Sequence, residues 1–488
     1  MGFVIGHGEV FIAPKNASFA TGQAGFFLPR LAGLTKNYTT SHEDFVYNVG
    51  TKFTGWMTWF SLGSEILLQV RFQLSKSSFE DRRDPYQALR YQDFRLLFAG
   101  RFITSLGNQM LSVAIGWELW LRTHSAFALG MVGLVQVIPV ILLSLPAGHV
   151  ADQYNRKRIV LFTQLLLALC SLGLAVLSYT QGSLILIYLC LLGIGIARAF
   201  NDPASSTLLP QTIPPEVFTS AATWSSSSWQ LASIVGPAVA GLVAAWLGSV
   251  TVIYVFDVFA ALTFLVLVSL IKGRPLALSR KAATLESLAE GIRFIRDTKV
   301  ILAAITLDMF AVLLGGAVTL LPVYATDILK VGPTGLGLMR AAPSVGALLM
   351  ALALAHLPAF KQAGKTLLWA VAGFGAATIV FGLSTYFWLS MLMLVVLGGL
   401  DNISVVIRST LMLTRSPDEM RGRISSVNSI FIGASNELGG FESGLAAALF
   451  GPIISVVGGG IGTILVVLAI AKTWPEMREM KTLDVPEA

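Results

Sequence analysis

Long apolar runs separated by short polar connections dominate the chain from about residue 91 onward. A helix that crosses a bilayer needs roughly 20 mostly apolar residues. Twelve runs reach this length, and a longer polar stretch from Lys272 to Lys299 divides them into two sets of six. They begin near Phe94, Phe127, Arg158, Ser183, Phe218, Val250, Val300, Thr334, Thr366, Phe387, Gly422 and Pro452. The pattern predicts an all-α membrane protein with twelve transmembrane helices in two six-helix bundles.

The connections that follow the even-numbered runs carry most of the positive charge. Arg156, Lys157 and Arg158 follow the second run, whereas the connections after odd-numbered runs offer little beyond Arg122 and Lys330. Basic residues accumulate in the cytoplasmic loops of membrane proteins. We therefore predict a multi-pass protein of the cell (inner) membrane, with both termini and the central connection in the cytoplasm.

The same pattern divides the chain into five parts. These are an N-terminal extension (residues 1–90), an N-terminal six-helix bundle (91–273), a linker (274–299), a C-terminal six-helix bundle (300–475) and a tail (476–488). The apolar stretch Gly55–Val70 in the extension is short and contains Glu65, so it is a poor candidate for a span. The extension is predicted to be cytoplasmic, interfacial or disordered.

The linker contains a repeat of apolar residues at helical spacing. Leu285, Leu288, Ile292 and Ile295 recur with charged residues on the opposite face. This spacing predicts an amphipathic helix. Such a helix can lie on the membrane surface or serve as a plain connection between the bundles, and the pattern does not distinguish the two.

Composition supports the membrane interpretation. The chain is 55% hydrophobic and 12% charged, with a mean hydropathy of +0.72, whereas soluble domains carry about 25% charged residues. The net charge of +7 is explained by the basic connections, so nucleic acid is not a predicted partner and the lipid bilayer is. Cys170 and Cys190 lie inside apolar runs and have neither a disulfide nor a metal-ligand spacing.

Short segments repeat between the two halves. Pro215-Glu216 precedes the fifth run as Pro417-Asp418 precedes the eleventh, and Ser206-Thr207-Leu208 corresponds to Ser409-Thr410-Leu411. Two similar six-span halves around a central loop are typical of transporters built from parallel repeats. The halves are therefore expected to be pseudo-symmetric.

The connection between the second and third runs carries a specific motif, Gly148-His-Val-Ala-Asp152-Gln-Tyr-Asn-Arg156-Lys-Arg158. It resembles the signature loop of the major facilitator superfamily. The resemblance implies that Gly148 permits a close helix approach, that Asp152 meets the start of the eleventh span near Gly422, and that Arg156 pairs with Asp202. These contacts would lock one side of the carrier. The plainer reading is that the basic residues only set the topology.

The fifth run contains Gly236-Pro237-Ala-Val-Ala-Gly241, which resembles a motif of exporters and antiporters in the same superfamily. Proline kinks a helix and glycine permits tight packing, so an ordinary kinked helix is the alternative. The chain also resembles the enterobactin-exporter-like, or transmembrane secretion effector, branch of the superfamily. That resemblance rests on the segments Phe94–Phe102, Ala199–Ala204, Asp418–Arg423 and Phe431–Leu438. It implies export of a siderophore or drug-like molecule.

Four ionisable residues fall at similar depth in equivalent runs. Arg101 and Arg198 lie in the first and fourth, and Asp308 and Asp401 in the seventh and tenth. By resemblance these spans line the central cavity. Intramembrane charges are functional candidates, and we expect a charge layer between the halves that breaks and re-forms. The alternatives are static ion pairs or an Arg101 that reaches out to the interface.

Transport against a gradient needs an energy source, and no nucleotide-binding loop is present. Gly364-Lys365-Thr366 has Ala359 where the first glycine of a phosphate-binding loop should stand. No cofactor is predicted, and a proton gradient is the expected source. Asp308 and Glu437 are candidate proton carriers because burial favours the protonated carboxyl group. A carboxylate hydrogen-bonded to polar neighbours is the structural alternative.

Polar and aromatic residues inside the runs are candidates for contacts with a substrate. They are Asn108, Gln109, Trp117, Trp224, Trp229 and Gln230. Aromatic rings together with arginine suit a planar, anionic ligand such as a catecholate. Tryptophan is also a common anchor at the membrane interface, which is the alternative for these residues.

Together these features predict a monomeric, proton-coupled exporter of a small molecule that works by alternating access. The alternative is a non-transporting membrane sensor or assembly scaffold. An enzyme is not predicted, because the five histidines are scattered and no cluster of catalytic type stands near one membrane face.

Overall fold

A computed structural model describes residues 2–6, 9–13, 84, 86–272, 285–358, 360–417 and 420–481. The chain divides into two compact units, Met1–Asp84 and Pro85–Ala488. In the first unit, β1 (Gly2–Gly6) pairs antiparallel with β2 (Glu9–Ala13). This hairpin was not predicted, because its short runs of aromatic and β-branched residues favour strands but are far below the length of a span. Predictions for residues 14–83 lie outside the described residues.

The described part of the second unit contains twelve long helices, which we number in chain order. They are α1 (Gln92–Thr123), α2 (Ala126–Gln153), α3 (Arg156–Thr180), α4 (Leu184–Leu208), α5 (Phe218–Leu247), α6 (Thr251–Leu270), α7 (Lys299–Leu314), α8 (Gly332–His356), α9 (Ala363–Leu383), α10 (Phe387–Arg415), α11 (Arg421–Phe450) and α12 (Pro452–Thr473). Each begins close to its predicted start; the largest difference is at α9, which begins at Ala363 rather than Thr366. After α7 the chain continues through the 3₁₀ turn Ala317–Leu320 and the π-helical turn Tyr324–Ile328.

Ten helical segments in the described part are long and apolar enough to cross a membrane. The long helices α1 and α11 do not meet that criterion, because they carry polar residues such as Asn108, Glu118 and Glu437. Both helices pack against several neighbours: α1 against α5 and α6, and α11 against α2, α7 and α12. A helix surrounded by protein can keep polar residues that a lipid-facing helix cannot. Twelve spans are therefore consistent with the structure.

Helix packing repeats between the two halves. In the first half α1 packs against α5 and α6, α4 packs against α2 and α3, and α3 packs against α6. In the second half α7 packs against α11 and α12, α10 packs against α8 and α9, and α9 packs against α12. Adding six to each number of the first set gives the second. The predicted pair of pseudo-symmetric six-helix bundles is confirmed, in the parallel arrangement expected from the sequence repeat.

The odd-numbered helices begin at one end of the bundles, which we call the linker side, and finish at the opposite end, the far side. Two hydrogen bonds show this alternation. Lys157, near the start of α3, donates to the carbonyl of Ile271 after the end of α6, at 2.7 Å. Arg122, near the end of α1, donates to the carbonyl of Gly182 after the end of α3, at 3.0 Å.

Two helix crossings, α2 with α11 and α5 with α8, join the bundles. At each crossing two glycines face each other. A Cβ atom added to Gly444 would stand 2.6 Å from the Cα of Gly130, and one added to Gly337 would stand 2.8 Å from the Cα of Gly241. Small residues let helix backbones touch in this way. All four glycines lie in the far-side half of their helices, so the far side is closed by backbone contact.

The linker helix, Leu285–Asp297, matches the predicted amphipathic helix. Glu290 forms an ion pair with Arg423 at the start of α11, and a Cβ atom on Gly291 would stand 3.2 Å from Val427 of α11. Ile295 is buried, whereas Ile292 is 51% exposed. The helix therefore packs against the C-terminal bundle through only part of its apolar face.

The C-terminal segment closes the linker-side end of α9. The carbonyls of Lys481 and Met480 accept hydrogen bonds from the backbone N–H groups of Ala363 (3.0 Å) and Gly364 (3.2 Å), which a helix start would otherwise leave without partners. Nearby, Lys299 donates to Glu476 at 2.8 Å, and this hydrogen bond lowers the pKa of the Glu476 carboxyl group.

Replacement of Gly364 by alanine is expected to displace this segment. A Cβ atom at Gly364 would overlap the carbonyl oxygen of Met477, which is a backbone atom and cannot rotate away. We expect a loss of about 1–3 kcal/mol of stability, typical of overpacking, measured by thermal unfolding of the detergent-solubilised protein. Gly458→Ala is the control, since no described atom lies within 4 Å of its Cβ position. An equal loss in both variants would contradict this explanation.

Candidate functional site

Two cavities lie within the described part of the second unit. The central cavity, of about 140 Å³, lies between the bundles and is lined by polar side chains of both, namely Gln136, Arg198, Thr319, Arg340 and Glu437. The N-bundle cavity, of about 340 Å³, is lined only by residues of α1, α3, α4, α5 and α6, including Arg101, Asn108, Gln164, Asp202 and Trp229.

Two arginines and one glutamate define the chemistry of the central cavity. Arg198 of α4 donates to the side-chain oxygen of Gln136 at 3.0 Å, and Arg340 of α8 donates to the carbonyl of Val318 at 3.1 Å. The positive charges of both arginines act on Glu437 of α11. Arg198 belongs to the N-terminal bundle and Glu437 to the C-terminal bundle, so this group of charges spans the interface.

A glycine brings Glu437 close to the opposite bundle. A Cβ atom on Gly133 of α2 would stand 2.6 Å from the carbonyl oxygen of Glu437 and 3.0 Å from its carboxylate. Arg340 was missed in the sequence analysis, which considered charges in the first, fourth, seventh, tenth and eleventh runs but not in the eighth. The signal was a single arginine inside the otherwise apolar eighth run.

The N-bundle cavity contains four of the predicted residues, Arg101, Asn108, Asp202 and Trp229. Arg101 donates to the hydroxyl of Ser205 at 2.9 Å and to its carbonyl, which holds the guanidinium against α4. The carboxylate of Asp202 is open to the cavity, where the charges of Arg198 and Arg101 act on it. The indole of Trp229 is 59% exposed at the wall.

A separate buried charge cluster lies inside the C-terminal bundle. Asp308 of α7 forms an ion pair with Arg408 of α10, and both are buried, at 7% and 4% exposure. The charges of Asp308 and Arg408 both act on Asp401, which lies seven residues before Arg408 on the same face of α10. Arg408 was missed in the sequence analysis, although a spacing of seven residues from Asp401 places the two side chains on the same face of a helix.

The predicted charge layer between the halves is not formed by these residues in this conformation. Arg101 is bonded to Ser205 within the N-terminal bundle, and Asp308 is paired with Arg408 within the C-terminal bundle. A buried charge needs a partner at fixed geometry, and here a residue of the same bundle supplies it. Neither Asp308 nor Asp401 lines either cavity. The charges that meet across the interface belong to Arg198 and Glu437.

The loop between α2 and α3 differs from its prediction at two residues. Arg156 donates to the carbonyls of Thr207 and Ala151, each at 3.5 Å, and does not pair with Asp202, because Asp202 lies deeper along α4 beside two other arginines. No described atom lies within 4 Å of a Cβ position on Gly148, so the predicted close approach there is wrong for this conformation. The side chain of Asp152 lies outside the described residues, and its contact near Gly422 stays a prediction.

The glycine–proline motif of α5 packs this helix on two sides. A Cβ atom on Gly236 would stand 2.7 Å from the Cβ of Gln109 on α1, whereas Gly241 faces Gly337 on α8. Pro237 lies between Gly236 and Gly241 in the sequence, and its backbone carbonyl oxygen would overlap a Cβ atom added to Gly337. The motif therefore joins a contact within the bundle to a contact between bundles.

Two residues predicted to contact substrate make contacts with neighbouring helices in this conformation. Gln109 packs against Gly236, and Gln230 donates to the carbonyl of Ser344 on α8 at 2.7 Å. Neither lines either of the two cavities in the described part of the chain. Their polarity suggested a binding role, but the rotation of their helices, which a single sequence does not show, directs them to neighbouring helices.

Two related six-helix bundles around a charged central cavity define a membrane transporter of the major facilitator type, and not an enzyme. The chain belongs to the transmembrane secretion effector family, whose profile matches residues 83–487. It is 25% identical over 391 residues to the enterobactin exporter EntS of Escherichia coli O1:K1, a match that covers 80% of this chain and 93% of that protein. The protein of the same name from Citrobacter koseri shows the same identity and coverage.

Solved structures show the same fold at low sequence identity. The nucleoside transporter NupG has a TM-score of 0.63 at 12% identity and covers 78% of this chain and 99% of its own. A bacterial homologue of the lysosomal transporter Spinster, inward-facing and occupied, has a TM-score of 0.63 at 14% identity and covers 81% and 99%. At these identities the likeness concerns the fold alone.

Proposed function

We propose that the chain exports a small anionic molecule by alternating access and draws energy from the proton gradient. The observation that carries the proposal is the central cavity, where Arg198 and Arg340 face a single carboxylate, Glu437. This leaves an excess of one positive charge in a partly desolvated site. Guanidinium groups bind carboxylate, phosphate and phenolate-like anions through charge-assisted hydrogen bonds. The likeness to enterobactin exporters supports a siderophore or drug-like substrate.

Alternating access requires two bundles that rock about a fixed site. The far side is held shut by the glycine crossings Gly130–Gly444 and Gly241–Gly337. With the linker side in the cytoplasm, as the basic connections predict, substrate enters from the cytoplasm and leaves when these crossings separate. Arg198 and Glu437 lie on opposite bundles, so their separation changes as the bundles move.

Proton coupling is assigned to the charge cluster of the C-terminal bundle. Asp308 and Asp401 share one guanidinium, that of Arg408. Two carboxylates with one cation leave an excess negative charge in a site away from water, and one bound proton removes it. Asp308 is already ion-paired, so we propose Asp401 as the carboxyl that binds the proton. Glu437, a candidate from the sequence, faces two arginines at the central cavity.

Transport assays in everted membrane vesicles test both parts of the proposal, with enterobactin as the first substrate. Arg340→Gln should raise the KM at least about tenfold, since a hydrogen bond to a charged group contributes about 1.5–3 kcal/mol. Asp401→Asn should make transport independent of the proton gradient while substrate binding persists. Glu437→Gln should keep the dependence on the gradient.

Two results would contradict these assignments. Retained gradient dependence in Asp401→Asn, with loss in Glu437→Gln, would move the proton site to the central cavity. Unchanged KM in Arg340→Gln would remove the anion site. A strain without the gene separates an exporter from a sensor or scaffold, because only loss of an exporter makes a secreted metabolite accumulate inside the cell or raises drug sensitivity.

A further inference from the structure

One acidic residue, Asp257 of α6, is buried deep inside the N-terminal bundle and has no role in the transport scheme above. Its side chain is 4% exposed. One carboxylate oxygen accepts a hydrogen bond from the hydroxyl of Ser171 on α3 at 2.6 Å. The other faces α1, where a Cβ atom on Gly107 would stand 2.5 Å from it. The carboxyl group is therefore enclosed by three helices.

The charged groups around Asp257 leave it without an ion-pair partner of its own. Among the described residues, Arg198 of α4 is the charged side chain whose field reaches Asp257. Arg198 is hydrogen-bonded to Gln136, and its charge also acts on Asp202 and Glu437. The charge of Arg198 thus acts on three carboxylates. Of these, Asp202 also has Arg101 and Glu437 also has Arg340, whereas among the described residues Asp257 has no second arginine. No salt bridge to Asp257 exists within the described part of the chain.

The remaining ionisable groups nearby are already engaged. Glu118 and Arg122 of α1 pair with each other, and both act on Tyr254, one turn from Asp257 on α6. On α3 the group that faces Asp257 is Ser171, which is not ionisable in this range. A carboxylate that is buried without a partner is much less stable than the neutral acid.

The fold does not require an acid at this position. Under the repeat that relates Pro215-Glu216 to Pro417-Asp418, Asp257 corresponds to the Gly458-Gly459-Gly460 segment of α12. The C-terminal bundle thus places glycine where the N-terminal bundle places a carboxyl group. The repeat therefore does not call for an acidic residue at this position.

The N-bundle cavity reaches part of the way from the linker side toward Asp257. The N-bundle cavity includes Gln164 of α3 and Phe264 of α6 in its wall. Ser171 and Asp257 each lie seven residues farther along the same faces, about 10 Å beyond the cavity at 1.5 Å per residue. Gln164 is fully buried, and its side-chain oxygen has no hydrogen-bond partner. This oxygen can accept a hydrogen bond from water or hydronium at the inner end of the cavity.

We propose that Asp257 is a second proton-binding site, in the N-terminal bundle, that exchanges protons with the linker side through the N-bundle cavity. When Asp257 is ionised, its negative charge attracts the guanidinium of Arg198 toward the interior of the N-terminal bundle. When Asp257 is protonated, this attraction is lost, and the guanidinium is available to Glu437 and the central cavity. The site thereby links a proton in one bundle to the charge available at the interface. Its existence does not depend on the proposed export or on the role of Asp401.

Infrared spectroscopy of the purified full-length protein in nanodiscs tests the site without a transport assay. Protonated carboxyl groups have a C=O band separate from that of carboxylates, and its intensity is followed against pH. Asp257→Asn, which keeps the shape of the side chain, should remove one protonated-carboxyl component from the band that the wild-type protein shows. An unchanged titration of the protonated band in Asp257→Asn would overturn the proposal.

A pair of serine variants provides a second, independent test. The Ser171 hydroxyl stabilises the ionised carboxylate, so Ser171→Ala should move the midpoint of this component upward by about one pH unit. Ser178→Ala is the matched control, because Ser178 also lies on α3 and bonds to α6, but to Thr251 at 2.9 Å. Equal midpoints in the two variants would contradict the assignment, even if Asp257→Asn failed to fold. Loss of export without any change in the protonated-carboxyl band would bear on the proposed function and not on the proton-binding site.

Discussion

Valine in place of Gly444 is expected to reduce transport at least about tenfold by forcing the far side of the protein open. A Cβ atom there would stand 2.6 Å from the Cα of Gly130 and 2.7 Å from the carbonyl oxygen of Ala126. Carbon atoms in contact normally lie about 3.5–4.0 Å apart, and these neighbours are backbone atoms. Overpacking of about 1–3 kcal/mol shifts an equilibrium between two conformations about 5- to 150-fold.

The control for this variant lies on the same helix. Gly433→Val adds the same side chain to α11 at a position with no described atom within 4 Å, and it should transport normally. Spin labels at Tyr179 and Tyr386, exposed far-side residues of the two bundles, report the opening in a cysteine-free background. We expect a longer distance in Gly444→Val only. Full transport with an unchanged distance would show that the crossing does not control closure.

The second large effect is expected from Arg408→Leu, which should severely destabilise the C-terminal bundle. Arg408 is 4% exposed, and its guanidinium forms an ion pair with Asp308, which is also buried. Removal of one partner of a buried ion pair costs about 3–5 kcal/mol, because the other charge is left uncompensated. The melting temperature of the detergent-solubilised protein should fall markedly, with less folded protein on size-exclusion chromatography.

The double variant Asp308→Asn, Arg408→Leu is the decisive companion to this experiment. Because it removes both charges, most of the lost stability should return. A double variant as unstable as Arg408→Leu would indicate that the arginine stabilises the bundle through packing rather than charge. Asp401 remains in both variants, so its own carboxyl group does not account for the difference.

The sequence predicted the helices well because the bilayer imposes a simple length requirement on apolar runs. All twelve helices begin within three residues of their predicted starts, although α1 and α11 are less apolar than the rest, and the repeat around Pro215 and Pro417 correctly indicated two related halves. The hairpin Gly2–Ala13 was missed, because short strands have no comparable length signal.

Charge partners were predicted less well than helices. Arg101 and Asp308 lie within long helices as predicted, but their partners, Ser205 and Arg408, depend on how each helix is rotated about its axis. Pairs of residues on different helices are not visible in the hydropathy of one sequence. Asp257 was not considered in the sequence analysis, because the sixth span is not among those that line the central cavity in the superfamily. A single acidic residue among apolar residues nevertheless indicates a candidate functional residue.

The packing pattern that repeats after six helices has a consequence for the cost of each transport cycle. If the bundles move as rigid bodies, the Asp308–Arg408 pair and the Arg101–Ser205 contact are carried along intact, since each lies within one bundle. Such contacts add stability without adding to the activation barrier of turnover. The barrier then depends on what is broken at the two glycine crossings and around Arg198, and turnover can be tuned there without weakening either half.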